Sequence, residues 1–293
     1  MRIAVHAKNF QDKALPFLNE MFEVIKQKDA SLLLSTHFYE QLKEKENIIL
    51  PEYETYQPYT NDIKKADFLF SIGGDGTLLE CITHIADRQI PVLGINLGRL
   101  GFLATTSPDD IRRTIHCLEN GYYSFDERSL LKAYTDKEIF GGLDFALNDF
   151  TITKRDTASM IVVHTYINGE YLNSYWADGL IVSTPTGSTG YSLSCGGPVV
   201  MPSSNNFIIS PVSPHNLNVR PLIVSDDCVI SFTIEGRSKN FLVSLDSRSY
   251  VIDNTVQIAV KKEKFKTKLV KLKEENFWDT LRNKLNWGLD ARN

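Results

Sequence analysis

A five-residue glycine turn, set between a buried-strand pattern and a helix pattern, constrains this chain more than any other feature. Phe68-Leu69-Phe70-Ser71-Ile72 has the length and apolar continuity of a strand covered on both faces. Gly73-Gly74-Asp75-Gly76-Thr77 follows directly, and Leu78 to Ala86 then places apolar residues at helical spacing. Strand, glycine turn and helix in that order make a phosphate-site layout. The first N–H groups of such a helix lack partners and point outward with the positive end of the dipole. An aspartate inside the turn needs a specific reason, because a bare carboxylate repels phosphate. Asp75 is therefore expected to meet a metal ion or to accept a proton from a substrate hydroxyl; capping its own helix is the ordinary alternative.

The same texture runs through the first part of the chain. Ile3-Ala4-Val5, residues 11–28, Leu32-Leu33-Leu34, Phe68 to Ile72, residues 77–86 and Pro91-Val92-Leu93-Gly94-Ile95 alternate strand and helix patterns. That alternation predicts an α/β domain with a parallel sheet and a ligand site at the carboxyl ends of its strands, where the Gly73 turn and the loop Asn96 to Phe102 emerge. Ser107 as cap, Pro108 at the first helical position, and Asp109 and Asp110 in the first turn signal a further helix ending near Asn120-Gly121. From Phe125 to Val270 the texture changes to short runs rich in Val, Ile, Thr, Phe and Tyr between turn signals, which predicts a mostly-β domain. Asn168-Gly169 is a hairpin turn within it. Phe277, Trp278, Leu281 and Leu285 then stand at helical spacing. The expected organisation is residues 1–124, 125–270 and a C-terminal helix within 271–293.

A second polar loop lies in the β part. Ser183-Thr184-Pro185-Thr186-Gly187-Ser188-Thr189-Gly190-Tyr191-Ser192-Leu193-Ser194-Cys195-Gly196-Gly197-Pro198 leaves the short strand pattern Gly179 to Val182. Its glycines allow close backbone approach to a ligand, and its hydroxyls can both donate to and accept from sugar or phosphate oxygens. A Ser/Thr/Gly-rich linker is the ordinary alternative.

Together these segments resemble the ATP-NAD kinase family, whose members phosphorylate the adenosine 2′-hydroxyl of NAD to make NADP. The resemblance is carried by Gly73 to Thr77, Asn96-Leu97-Gly98-Arg99-Leu100-Gly101-Phe102-Leu103, Leu147-Asn148-Asp149, Asp178 to Pro198, and Pro214-His215-Asn216-Leu217-Asn218-Val219-Arg220-Pro221. The glycine turn alone also occurs in diacylglycerol and sphingosine kinases and in phosphofructokinases. A lipid or sugar kinase, or a non-catalytic dinucleotide-binding regulatory module, is therefore the alternative.

The resemblance implies a role for each matching residue. Asp75 matches the proton acceptor, and Gly73, Gly74, Gly76 and Thr77 match the phosphate-donor site for ATP. Mg²⁺ or another divalent cation would bridge the ATP phosphates; no dedicated metal cage can be read from the sequence. On the NAD side, Asp75, Gly76 and Phe102 match one set of contacts, and Asn148 with Asp149 matches the family's Asn-Glu pair, the acid here being the shorter one. Asp178, Thr189, Gly190, Tyr191, Ser192, Leu193 and Ser194 match the nicotinamide and ribose side. Trp176 stands where some members carry Arg, and Arg248, also assigned to NAD, stands where many carry Gln. His215 and Arg220 match the Pro-His and Arg-Pro segment and read as structural. The family also implies that the C-terminal helix returns to the first domain and that the chain forms a homo-oligomer, a dimer or tetramer.

Composition narrows the remaining classes. A net charge of −4 over 293 residues does not suit a nucleic-acid surface. There is no apolar run of membrane-spanning length, and Met1 to His6 enters a strand pattern without a secretory layout, so no membrane partner is expected and a cytoplasmic location is. Cys81, Cys117, Cys195 and Cys228 form no Cys-x-x-Cys pair, so they suggest neither a disulfide framework nor a zinc site.

Overall fold

The computed structural model describes residues 1–98, 100–155, 159–272 and 276–287. The chain divides into two compact units, residues 1–127 with 267–293, and residues 128–266.

The first unit runs β1 (Arg2–Ala7), α1 (Leu15–Gln27), β2 (Ser31–Ser35), α2 (Thr36–Lys43), β3 (Tyr53–Tyr56), β4 (Phe68–Ile72), α3 (Asp75–Ile85), β5 (Val92–Ile95) and α4 (Ile111–Glu119). The strands pair in parallel in the order β5-β4-β1-β2-β3. Alternate residues of the sheet point to opposite faces. Ile3, Val5, Leu34, Phe70, Ile72, Leu93 and Ile95 join Leu18, Phe22 and Ile25 of α1 and Ile111, Ile115 and Leu118 of α4 in one core. His6 and Ser71 take the alternate positions, and both are fully buried. β4 and β5 are buried along their whole length, which accounts for their unbroken apolar sequence. The sequence pattern did not reveal α2. It is a short helix that buries only Phe38 and Leu42, and it starts where the Ser35 hydroxyl accepts from the Phe38 N–H at 3.2 Å.

The chain enters the second unit along β6 (Tyr123–Thr135) and continues through β7 (Phe145–Ala146), β8 (Asp149–Lys154), β9 (Ile161–Ile167), β10 (Glu170–Ala177), β11 (Gly179–Ser183), the one-turn α5 (Tyr191–Ser194), β12 (Asn206–Val212), β13 (Leu222–Ser225), β14 (Ile230–Gly236), β15 (Asn240–Leu245), β16 (Arg248–Asp253) and β17 (Ile258–Leu272). One antiparallel sheet has the order β13-β12-β11-β8-β15-β16, and β10, β9, β14 and β17 form a second antiparallel layer. Burial alternates along β9, β14 and β15, as it must when one face meets a core and the other does not. The core collects Phe150 and Ile152 of β8, Val163 of β9, Phe232 and Ile234 of β14 and Phe241 and Val243 of β15. The Phe150 and Phe232 rings stack between the layers at 5.9 Å. Asn168 and Gly169, both at positive φ, turn β9 into β10 as their sequence requires.

The chain closes with α6 (Phe277–Leu285), assigned with the first unit. Its cap is Asn276, which accepts from the Asp279 N–H at 2.8 Å; Leu281 is buried, and the Lys284 ammonium donates to the Leu100 carbonyl. The expected α/β part with a parallel sheet, mostly-β part and C-terminal helix are all present. Among the described residues no helix is long and apolar enough to cross a membrane.

Because Phe150 is fully buried between two layers with an aromatic partner, Phe150→Ala should lower unfolding free energy by about 3–5 kcal/mol. Urea denaturation checks this; a loss below about 1 kcal/mol would mean that the layers do not depend on this contact.

Candidate functional site

In the first unit the site grows out of the end of β4. Gly73 has φ +151°, and a Cβ there would stand 2.4 Å from the Thr77 hydroxyl, so the chain itself demands glycine. Gly74 and Gly76 are different. Both are exposed, neither has positive φ, and a Cβ on either would meet nothing within 4 Å. Gly74 is the N-cap, where glycine is ordinary, but Gly76 lies inside the helix, where glycine costs roughly 0.5–1 kcal/mol relative to alanine, so its lack of a steric reason to be glycine suggests close approach by something outside the chain.

Asp75 is the first residue of α3, but it does not cap that helix. Its carboxylate turns to the loop after β5. Oδ2 accepts from the Phe102 N–H at 2.8 Å, and Oδ1 accepts from the N–H groups of Leu103 at 3.0 Å and Ala104 at 2.9 Å. Two donors saturate Oδ1, whereas Oδ2 keeps a lone pair. Gly101 makes this approach possible, since a Cβ there would stand 2.0 Å from Oδ1. Asn96 ties the same loop by accepting from Gly98 N–H at 2.8 Å and donating to the Ala104 carbonyl at 3.3 Å. The structure thus brings Gly73, Gly74, Asp75, Gly76 and Thr77 together with the backbone at Phe102; Arg99 lies outside the described residues.

In the second unit the centre is the segment Leu147-Asn148-Asp149, at the start of β8. It is held by Asp246, in the turn between β15 and β16, whose carboxylate accepts from the N–H groups of Leu147 (2.9 Å), Asn148 (2.8 Å) and Asp149 (3.2 Å). The Asp246 N–H donates back to the Asp149 carbonyl at 3.0 Å. The long loop after β11 packs on the same segment. Thr184 donates its hydroxyl to the Leu147 carbonyl and its N–H to that of Asn148, and a Cβ on Gly187 would stand 2.2 Å from the Asn148 carbonyl oxygen. Gly190 lies against the two side chains: a Cβ there would be 3.5 Å from Asn148 Nδ2 and 3.8 Å from Asp149 Oδ2.

Both side chains are poised for a partner that the chain does not supply. Asn148 Oδ1 is buried without a hydrogen-bond partner. Asp149 is buried, and burial, reinforced by the nearby Asp246 carboxylate, pushes its carboxyl up to about 8.

The rest of the expected NAD set divides by what its side chains touch. Tyr191 and Ser194 are exposed, and Gly190 and Leu193 are half-buried. Asp178 is paired with Lys154 at 2.6 Å. The Ser192 hydroxyl is buried against that of Ser210 at 2.9 Å, and the Thr189 hydroxyl donates to the Thr186 carbonyl at 3.3 Å; these two build the loop. The Arg248 guanidinium donates to the Leu143 and Phe145 carbonyls, so its hydrogen bonds fix the strand leading to Asn148. Trp176 is exposed, and its carbonyl accepts the His215 N–H at 2.8 Å; Arg220 donates to the Leu217 and Val219 carbonyls of its own turn. Asp246, Thr184 and Gly101 are the site-building residues that sequence reasoning did not single out. Thr184 and Gly101 stand inside segments that the sequence already marks, whereas Asp246 does not.

Residues 3–123 match the profile of the ATP-NAD kinase N-terminal domain, and residues 147–272 that of the ATP-NAD kinase C-terminal domain. The chain is 54% identical to a protein of Cytophaga hutchinsonii named NAD kinase, over 293 residues that cover all of both chains. It is 44% identical, again over both full lengths, to a protein of the same name from Flavobacterium psychrophilum. Among solved structures, an NAD kinase from Archaeoglobus fulgidus in complex with ATP superposes with a TM-score of 0.74 at 26% identity, covering 97% of this chain and 99% of that one. Yeast NADH kinase complexed with NADH shares the fold, with a TM-score of 0.86 at 23% identity over 99% of this chain and 89% of that one.

The raised carboxyl of Asp149 has a consequence for stability. A folded-state value of about 8 against an ordinary one near 3.9 means that folding favours the protonated form, so this group's contribution is full below about pH 4 and is lost as pH rises through 8. Asp149→Asn should therefore gain stability over the parent as pH rises from about 4 to 8, by up to a few kcal/mol. Urea denaturation of both proteins across that range decides it, and a pH-independent difference would show that the carboxyl titrates normally.

Proposed function

The chain belongs to the ATP-NAD kinase family, and from that membership we propose that it transfers the terminal phosphoryl group of ATP to the adenosine 2′-hydroxyl of NAD, giving NADP and ADP. The new bond joins the 2′-oxygen to the γ-phosphorus, the bond from that phosphorus to the β–γ bridging oxygen breaks, and ADP leaves with the electron pair. The hydroxyl proton goes to Asp75. The observation that carries this role is the trio of backbone N–H groups on Asp75, which fixes the carboxylate and leaves a lone pair on Oδ2 for the incoming proton.

Residues 1–124 supply the donor side. Gly73, Gly74, Gly76 and Thr77 shape the site for the ATP phosphates at the start of α3, where the open space over Gly74 and Gly76 admits them. Among the described residues no three His, Cys, Asp or Glu side chains at this turn are close enough to share an ion. Mg²⁺ would arrive on the phosphate oxygens of ATP, where it would supply charge neutralisation. Residues 125–270 supply the NAD side, and 271–293 return to the first domain. Asp149 accepts from ribose hydroxyls, Asn148 addresses the adenosine through its unpartnered Oδ1, and Phe102 adds apolar contact. Asp178 and the stretch Thr189 to Ser194 take the nicotinamide side, with Ser192 and Thr189 shaping the backbone there and Arg248 positioning the Asn148 strand. The same reading puts the enzyme in the cytoplasm as a homo-oligomer, a dimer or tetramer.

Purified protein given NAD, ATP and Mg²⁺ should form NADP, read through an NADP-specific dehydrogenase. No NADP, with phosphorylation of diacylglycerol or a sugar instead, would replace the reading. Asp75→Asn should lower turnover by about 10²- to 10⁴-fold. Because an amide Nδ2 would face the Phe102 N–H, it should also cost about 1–2 kcal/mol of stability. Near-normal turnover in that variant would remove Asp75 from the chemistry.

Gly76→Ala separates the two reasons a glycine can exist. With no neighbour to strike, the variant should be as stable as the parent or more stable by about 0.5–1 kcal/mol, while KM for ATP rises several-fold. An unchanged KM would mean that nothing approaches this position.

A further inference from the structure

We propose that His6, Glu80 and His84 form a binding site for one divalent transition-metal ion of the zinc class, built from residues with no part in the phosphoryl transfer. Their ligand atoms all lie within 4.8 Å of one another, and among the described residues no other group of His, Cys, Asp and Glu comes together this way. Glu80 and His84 stand four residues apart on α3 and so share one helix face, which packs toward His6 on β1.

Each imidazole is oriented by a hydroxyl on its outer nitrogen. His6 Nδ1 is 2.8 Å from the Ser35 hydroxyl, and His84 Nδ1 is 3.1 Å from that of Tyr56. With the Nδ1 protons on those hydroxyls, Nε2 of each ring carries the lone pair, the arrangement by which outer partners fix histidine ligands of metals.

A second observation also points to a missing partner. His6 is fully buried, yet its Nε2 makes no hydrogen bond: its ion-pair partner, Glu80 Oε1, stands at 3.6 Å, beyond hydrogen-bond range. Metal–ligand bonds of about 2.0–2.2 Å in tetrahedral geometry put ligand atoms roughly 3.3–3.5 Å apart. The His6–Glu80 separation already approaches that edge. Two imidazoles and one carboxylate suit zinc, whereas magnesium prefers an all-oxygen shell. Glu80 is half-buried, with Lys8 at 3.3 Å from its Oε2; that exposed ammonium would swing out into solvent as the ion binds, and water would complete a tetrahedral shell. Once bound, it would fasten α3 to β1.

The test uses tag-free, full-length protein without nucleotide, stripped with a chelator, then loaded with Zn²⁺ and desalted. Elemental analysis should find one equivalent, Co²⁺ should give visible d–d bands of a low-coordinate site, and Zn²⁺ at a hundredfold excess over Kd should raise Tm by about 5 °C or more. Glu80→Gln and His84→Gln should each lose the equivalent and the Tm shift. Failure of the parent protein to retain Zn²⁺ would overturn the proposal whatever the variants do. Retention and shift unchanged in both variants would assign the ion to other side chains, with the same result.

Discussion

A backbone N–H that points into a folded interior must find an acceptor, and in this protein two aspartates each satisfy three of them. Asp75 gathers the amides of Phe102, Leu103 and Ala104, and Asp246 those of Leu147, Asn148 and Asp149. In both cases the amides are consecutive, so a stretch of loop is bent around one carboxylate. Charge-assisted bonds of this kind are stronger than neutral ones, and three converging on one side chain fix a loop far better than its composition would. The polar site residues stand on the segments so fixed. Asp75 has a double part, since the carboxylate that orders the loop is the one proposed to receive the proton. Asp246 has the structural part alone, with all its contacts directed at the segment that carries Asn148 and Asp149.

This division explains what was legible in the sequence. β4, the glycine turn and α3 could be read because each is specified locally, by apolar continuity, by glycine and by helical spacing. The hairpin at Asn168-Gly169 was legible for the same reason. The function of Asp246 was not, because its three partners lie almost a hundred residues away in the chain and no local pattern records them. Gly101 could be read as part of a motif but not explained. Its reason, an oxygen of Asp75 where a side chain would begin, exists only once the fold brings the two together. α2 escaped because a helix that buries two side chains leaves too little periodicity to notice.

The hydroxyl-rich loop corrects a simple equation of polar residues with ligand contacts. Of its hydroxyls, those of Thr184, Ser188, Thr189 and Ser192 bond within the protein, to Leu147, Val200, Thr186 and Ser210. Small polar side chains are used here because they can satisfy buried carbonyls in a segment too irregular for ladder bonds. The exposed positions, Tyr191 and Ser194, stand on a scaffold that the buried ones build. The sequence shows the sum of both uses, and only burial separates them.

Helix α3 joins these considerations, because it must satisfy different demands at each end. Its first turn is left open, with Asp75 drawn aside to the loop and Gly74 and Gly76 uncovered, so that end gains little from its own chain. Stability must then come from further along, where Leu78, Cys81, Ile82 and Ile85 are buried and Glu80 and His84 face His6. An apolar core restrains a helix weakly against sliding along its axis or turning about it, since dispersion contacts are numerous but undirected. The Glu80 carboxylate, paired with Lys8 just after β1, and the His84 ring, set edge-on to that of His6, restrain both motions, and an ion between them would restrain them further. A helix whose mouth must stay open therefore has physical reason to carry its polar anchors one to two turns further in.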